Sequence, residues 1–398
     1  MNRIMEDIAK LTDGQSFQSY KYSFDSVRTP SPDYDDTPDQ TTVWNTRGET
    51  LQQKNTIDLA DYAKQLVEIC PEPRLRYFLD GSRHVYHVDD IAYSSRVFPV
   101  VAGQVGVACC YRENKRLRVG YPPVSKLVIS LPNMAITDEK YHMEQCSRIC
   151  DKVNENAHLR RLGGHYGHPI TFSDILTYRT DDITRGDFKD RGIATIQDYM
   201  IDAEKGMVDA MAKDGLLSQD AYLVKDGTIE YIPMKTGKYA DIRTFKNSYR
   251  WVIGVSKSFN PENCRDGKGR DGKGKPNADA IISLKQFHRT QVAKIKTDRI
   301  PDLWFAVWYI RLRKFPEQTR NPFDGVIKVE KILVTDEEIA NGLDSDTVDM
   351  LSASLINERC PTCYGADLRF ANHLYPVYLT ESYIKSTYMS GEMFISLF

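Results

Sequence analysis

Between Leu75 and Tyr111 the chain is dense in Val, Tyr, Phe and Ile: LRYFLDGSRHVYHVDDIAYSSRVFPVVAGQVGVACCY. That density predicts strands, and Asp80-Gly81-Ser82, Asp89-Asp90 and Gly103 supply turn residues. The segment therefore reads as a β-meander of three consecutive strands. Before it, Leu59, Tyr62, Ala63, Leu66 and Ile69 recur at helical spacing, which predicts a helix over 55–70, stopped by Pro71 and Pro73. After it, a strand is expected over 126–131, a helix over 138–156, and an irregular stretch rich in Gly, His and Asp over 157–190. Ile196, Tyr199, Met200, Ala203, Met207, Ala210 and Met211 mark one side of a long helix over 193–213, ended by Gly215. Short apolar runs predict strands over 221–224 and 251–256. Residues 300–313 and 325–334 read as an antiparallel strand pair, and 380–389 as a final helix. A meander followed by helix–strand alternation and further strands is an α/β mixed-sheet pattern, compatible with a ribonuclease H-like fold.

Composition narrows the class. The chain has 398 residues, 53 Lys plus Arg against 55 Asp plus Glu, and 41% hydrophobic residues. A formal net charge of −2 excludes a histone-like chain, although a local basic groove still suffices for nucleic acid. The longest nearly apolar run, 98–110, is too short to span a bilayer. The opening MNRIMEDIAKLTDG mixes acids and bases, so no export signal is expected. Eight cysteines are too sparse for a disulfide scaffold, and the expected compartment is the reducing cytoplasm. Residues 1–70, with the polar loop 29–40, read as a peripheral extension whose helix could dock a partner or a second copy through Leu59 and Leu66.

Three carboxylates stand out. Asp80 and Asp226 each follow an apolar stretch and precede a glycine, a pattern shared with ordinary Asp-Gly turns. Glu204 lies one position beyond Ala203 in the long helix, where a solvated role is the plain alternative. Together they are the ingredients of a cage for Mg²⁺ or Mn²⁺, hard cations that favour oxygen ligands. A pair of such ions can activate water and stabilise the leaving oxygen of a phosphodiester. Lys257, in GVSKS after an apolar strand, could neutralise a phosphate. Arg83, Arg311 and Arg313 are candidates for contacts to a nucleic-acid backbone. The tandem RDGKGRDGKG (265–274) is a locally positive loop, a solvated run or a DNA track. Cys360-Pro-Thr-Cys363 and the His165/His168 pair lack the further ligands of a zinc site. No GxxxxGK[ST] is present, so any ATP-driven step needs a partner.

FLDGSRH and VFPVVAGQVGVA resemble the opening of the NurA nuclease family. YLVKDGTIEY, WVIGVSKSFNP, WFAVWYIRLR with GVIKVEKILV, and HLYPVYLTESYIKS follow in the family's order. The resemblance covers roughly 70–395, with a poorly matching insertion at about 112–190. It implies a nuclease domain over 71–398 with a ribonuclease H-like fold, Mn²⁺ or Mg²⁺ dependence, a homodimer, and a HerA-type hexameric ATPase partner in DNA end processing or anti-phage defence. By resemblance Asp80, Glu204 and Asp226 hold metal and Lys257 assists. The family's histidine in the last helix is replaced here by Tyr383, and His373 is the other residue that could complete the site. That departure raises an alternative: a catalytically weak or inactive adaptor that scaffolds the ATPase.

Overall fold

The computed structural model describes all residues except 1–3, 25–41, 45–46, 52–55, 71, 182–186, 231–239, 267–274, 297–302 and 365–367. The 29–40 loop and most of the RDGKG repeat therefore lie outside the described residues. The principal helices, in chain order, are α1 (Ile4–Leu11), α2 (Ala60–Ile69), α3 (His142–Asn154), α4 (Phe188–Lys213), α5 (Ser345–Asn357) and α6 (Tyr375–Ser386). The principal strands are β1 (Leu75–Tyr93), β2 (Arg96–Glu113), β3 (Arg116–Pro132), β4 (Asp174–Tyr178), β5 (Tyr222–Asp226), β6 (Val252–Ser256), β7 (Trp304–Arg311) and β8 (Val326–Leu333).

These strands form one mixed sheet in the order β7-β8-β6-β5-β1-β2-β3-β4. β1, β2 and β3 make an antiparallel meander. β5 adds parallel to β1, and β6 parallel to β5. β8 pairs antiparallel with β6, and β7 with β8. Helix α4 connects the meander side of the sheet to β5, as a parallel addition requires a crossover.

Both faces of the sheet are covered. Adjacent residues along the strands alternate between two apolar clusters, as the two-residue strand period demands. Leu79, Leu223, Val252 and Val307 join Ile196, Met200 and Met207 of α4 on one face. Phe78, Val224, Ile253 and Ala306 join Leu351 of α5 and Val377 of α6 on the other. A third cluster at the far end of β1–β3 gathers Ile8 of α1, Ile149 of α3, Ile91, Phe98 and Phe394.

Several expectations are corrected. Asp80-Gly81-Ser82, Asp89-Asp90 and Gly103 are not turns: β1 and β2 run straight through them. The reversals fall at Ser94-Ser95 and Asn114-Lys115, where Ser94, Asn114 and Lys115 have φ of 56°, 49° and 62°. The Asp89 region instead carries a β-bulge. The stretch read as irregular over 157–190 holds a helix, Ala157–Tyr166, and strand β4. Asn156 caps that helix through His158 N–H, and Gly167 ends it at φ 77°.

The described helices and contacts within 1–70 join the body of the fold. α1 lies in the third cluster, and α2 packs Leu59 and Ala63 against the α5 side of the sheet. Asn357 Nδ2 donates to Ala63 O at 2.8 Å. Arg289 grips Glu49 through two hydrogen bonds, 2.9 and 2.7 Å, and also pairs with Asp349 at 2.5 Å. Arg289 and Glu49 are both buried. Removing one partner of such a pair strands the other charge. Arg289→Leu should therefore cost about 3–5 kcal/mol in urea unfolding; a loss below about 1 kcal/mol would contradict this anchoring.

Candidate functional site

Asp80 lies within β1, level with the carboxyl end of β5. Leu79 pairs with Lys225, and Asp226 is the last residue of β5. β6, parallel to β5, ends at Ser256, and Lys257 follows it. Ligand chemistry in open α/β sheets gathers at such carboxyl ends. Asp80 is 4% and Lys257 6% exposed, so this is an ionic centre inside the protein.

Lys257 Nζ stands 2.8 Å from Asp226 Oδ2 and 3.8 Å from Glu381 Oε2. Glu381 comes from α6 and is also held by Lys385 at 2.6 Å. Thr380, buried beside it, donates to Phe78 O at 3.3 Å, which fixes α6 against β1 next to Asp80. Across the sheet, Lys225 Nζ meets Glu204 Oε2 of α4 at 3.2 Å. Glu204 lies on the buried stripe of α4, four residues after Met200 and eight after Ile196, so the solvated alternative for it does not hold.

Gly81 is required by this arrangement rather than by a turn. A Cβ there would meet Glu204 Oε1 at 2.4 Å. Gly227, φ 78°, lets the chain leave β5 directly after Asp226, and its N–H donates to Val255 O at 2.9 Å.

The charges do not balance. Asp80, Glu204, Asp226 and Glu381 face Lys225 and Lys257, with Lys385 at the rim. Burial, then the charge of Asp226, push the Asp80 carboxyl well above the usual range; Lys257 only partly offsets them. Among the described residues no hydrogen bond or ion pair engages Asp80. Burial would also raise Asp226, but the charge and hydrogen bond of Lys257, with Lys225 and His373 behind them, hold it below its ordinary value. Burial and Lys257 oppose one another in the same way at Glu381, and Lys257, aided by Lys385, prevails. Burial works against the Lys257 ammonium, yet Asp226, Asp80 and Glu381 keep it above the ordinary lysine value.

The structure thus brings together Asp80, Asp226 and Lys257 and adds Glu381 on the α6 face, while Glu204 pairs with Lys225 on the α4 face; the sequence reading missed Glu381 and Lys225. Glu381 has a signal: it is four residues from Lys385 and lies one position past the buried Thr380. Tyr383 sits two residues further, about 200° round the helix from Glu381, so α6 turns it away from the carboxylates. His373 is buried near Asp226, with Phe370 and Tyr378 around its ring. The backbone-contact reading is corrected for two arginines. Arg311 and Arg313 are buried; Arg311 donates to Ile281 O at 3.0 Å and Pro322 O at 2.8 Å, and Arg313 to Thr362 O at 2.8 Å. They hold loops, not a surface ligand. Arg83 is half-buried and donates to Gln197 of α4.

Among the described residues, no three His, Cys, Asp or Glu side chains are grouped as a ready metal-ligand set. Glu204 pairs with Lys225 on the α4 face of the sheet, whereas Lys257 stands beside Asp226 and Glu381 on the α6 face. The donor chemistry nevertheless suits a hard divalent cation. Asp80, Asp226 and Glu381 share the α6 face of the sheet, Glu204 stands on the α4 face, and Lys257 only partly offsets what opposes ionised Asp80.

A pH dependence follows, with opposite signs for the two aspartates. Asp80, whose folded pKa is raised, contributes stability below its unfolded value near 3.9 that is lost as pH climbs through its folded pKa. Asp226, whose pKa is lowered, contributes stability above that value that is lost as pH falls through its folded pKa. In EDTA near neutral pH, Asp80→Asn should melt at a higher temperature than the parent, and the gap should close toward about pH 4. A variant that melts lower than the parent at neutral pH would contradict the strained carboxyl. Gly81→Ala should leave the fold intact, since only the flexible end of Glu204 must move, while breaking the Glu204–Lys225 pair; unchanged Mn²⁺ binding by that variant would count against a role for Glu204.

Comparison with protein-family models gives no match for this chain, and comparison with curated proteins gives none either.

Proposed function

We propose that this protein is a metal-dependent DNA nuclease of the NurA type with a ribonuclease H-like fold. The single observation behind this reading is the grouping of Asp80, Asp226 and Glu381 around Lys257 at the carboxyl ends of the parallel strands β5 and β6, with Glu204 on the opposite face of the sheet. The sheet order supports it: a meander β3-β2-β1 extended by the parallel strands β5 and β6, with α4 before β5.

Mn²⁺ or Mg²⁺ held by these carboxylates would supply the charge that activates water and stabilises the leaving oxygen of a phosphodiester. Asp80 and Asp226 are the leading ligands, with Glu204 and Glu381 from the two flanking helices closing the set. Lys257 carries a fixed positive charge 2.8 Å from Asp226, where it can stabilise a phosphate oxygen. A cation would need Asp80 ionised, and burial with the charge of Asp226 opposes that ionisation, so cation affinity would rise with pH. The sequence has no phosphate-binding loop for ATP, and a HerA-type hexameric ATPase remains the partner that the resemblance suggests, in DNA repair or anti-phage defence, with the nuclease as a dimer.

One observation favours the adaptor alternative: Lys257 already stands between two of the carboxylates, as an ammonium would in a site that never loads metal. Incubation of linear and circular DNA with Mn²⁺, Mg²⁺ or EDTA separates the readings. The nuclease should cut only with metal, and Asp80→Asn or Asp226→Asn should lower the rate by about a hundredfold or more. Equal cutting by parent and variants would defeat the assignment of the site. No cutting by the folded parent, with or without the ATPase, would favour the adaptor.

A further inference from the structure

The outer edge of the sheet beside the carboxylates has a charge pattern that the catalytic cluster does not use. From Asn114 to Thr137 the sequence contains no Asp or Glu, but it has Lys115, Arg116, Arg118 and Lys126. Lys115 lies in the β2–β3 reversal, and the other three lie on β3. All four are exposed. Arg118 shares Glu113 at 3.2 Å, whereas no ion pair or hydrogen bond engages Lys115, Arg116 or Lys126 among the described residues. Neighbouring Arg112 is different: it is spent on a bidentate pair with Glu358.

This edge is open. β4 pairs with β3 only over Val128–Pro132, so among the described strands none covers Arg116–Lys126. Register places the edge against the site. Asp80 pairs with Ala108 of β2, whose neighbours Val107 and Cys109 pair with Val124 and Tyr121 of β3. Asp80 therefore lies level with the middle of the basic stretch, two strand spacings or about 10 Å away, and Asp226 of β5 one strand farther. From Arg116 to Lys126 the strand advances roughly 30 Å, close to one turn of B-form DNA.

We propose that the β3 edge from Lys115 to Lys126 is a track for the phosphate backbone of duplex DNA, which lays the duplex alongside the carboxylate cluster. The proposal rests on the nuclease reading and adds how the substrate lies. Charged side chains also guard open edges against strand pairing, but either sign of charge serves that purpose. Only positive charge serves phosphate.

Charge reversal separates the two roles. The full-length parent and the triple variant Lys115→Glu, Arg116→Glu, Lys126→Glu would be titrated into a labelled duplex of about 30 base pairs in EDTA, across a salt series, with melting curves run alongside. The triple Gln variant serves as a milder second case. The expected result is unchanged melting, binding at least about tenfold weaker for the Glu variant, an intermediate loss for the Gln variant, and a slope of log affinity against log salt shallower by about 3. Equal affinity for parent and folded variants would overturn the proposal, as would a parent that binds no duplex. Failure of the nuclease reading has a separate signature: no metal-dependent cutting by the parent, with the binding difference intact.

Discussion

The arrangement of this site turns on one ammonium group. Lys257 emerges from the end of β6 into a space walled by Asp226 and Glu381, with Asp80 close enough to act on it. A buried cation is tolerated only when paired, and buried carboxylates only when countered. Lys257 meets both needs for Asp226 and Glu381 but not for Asp80, whose carboxyl is driven toward its neutral form. The site is therefore held together by a charge pattern with one anion left over.

The rest of the fold serves that geometry. β1 carries Asp80 inside a long strand, paired with Ala108 of β2 and one residue past the last β1–β5 pair, Leu79 with Lys225. α4 and α6 reach the same sheet edge from opposite faces, delivering Glu204 and Glu381. Behind the cluster, Glu330 of β8 accepts from Thr228 Oγ1 at 2.8 Å and Ile229 N at 3.0 Å, and pairs with Lys328 at 3.0 Å. Thr228 O in turn accepts from Lys225 at 3.2 Å. The turn after Asp226 is thus clamped from below, and Lys225 with it.

Much of this was legible in the sequence. The long amphipathic helix, the closing strand pair and the apolar runs of β5 and β6 follow from periodicity; Asp80, Asp226 and Lys257 are neighbours, and Glu204 lies on the other face of the sheet. What misled has physical reasons. Asp80-Gly81 is written like a hairpin turn, but the glycine is there because Glu204 lies where a Cβ would be. Residues 157–190 look irregular because Gly163, Gly164 and Gly167 dilute the helical signal of Ala157–Tyr166, although Asn156 and Gly167 are its caps. Lys328 and Glu330, two residues apart on β8, are both buried and pair with each other. Glu381 was hidden by its pairing with Lys385, which reads as an exposed helix ion pair. Arg311 and Arg313 show the converse: basic residues at the end of a strand looked like a surface and are buried scaffolding.

The most direct test of the central claim is the location of Mn²⁺ by anomalous scattering in crystals of the protein soaked above neutral pH. The expected result is a peak about 2.1 Å from carboxylate oxygens of Asp80 and Asp226, with Lys257 moved away from Asp226. Crystals that bind Mn²⁺ elsewhere, or not at all, with Lys257 still on Asp226, would contradict it.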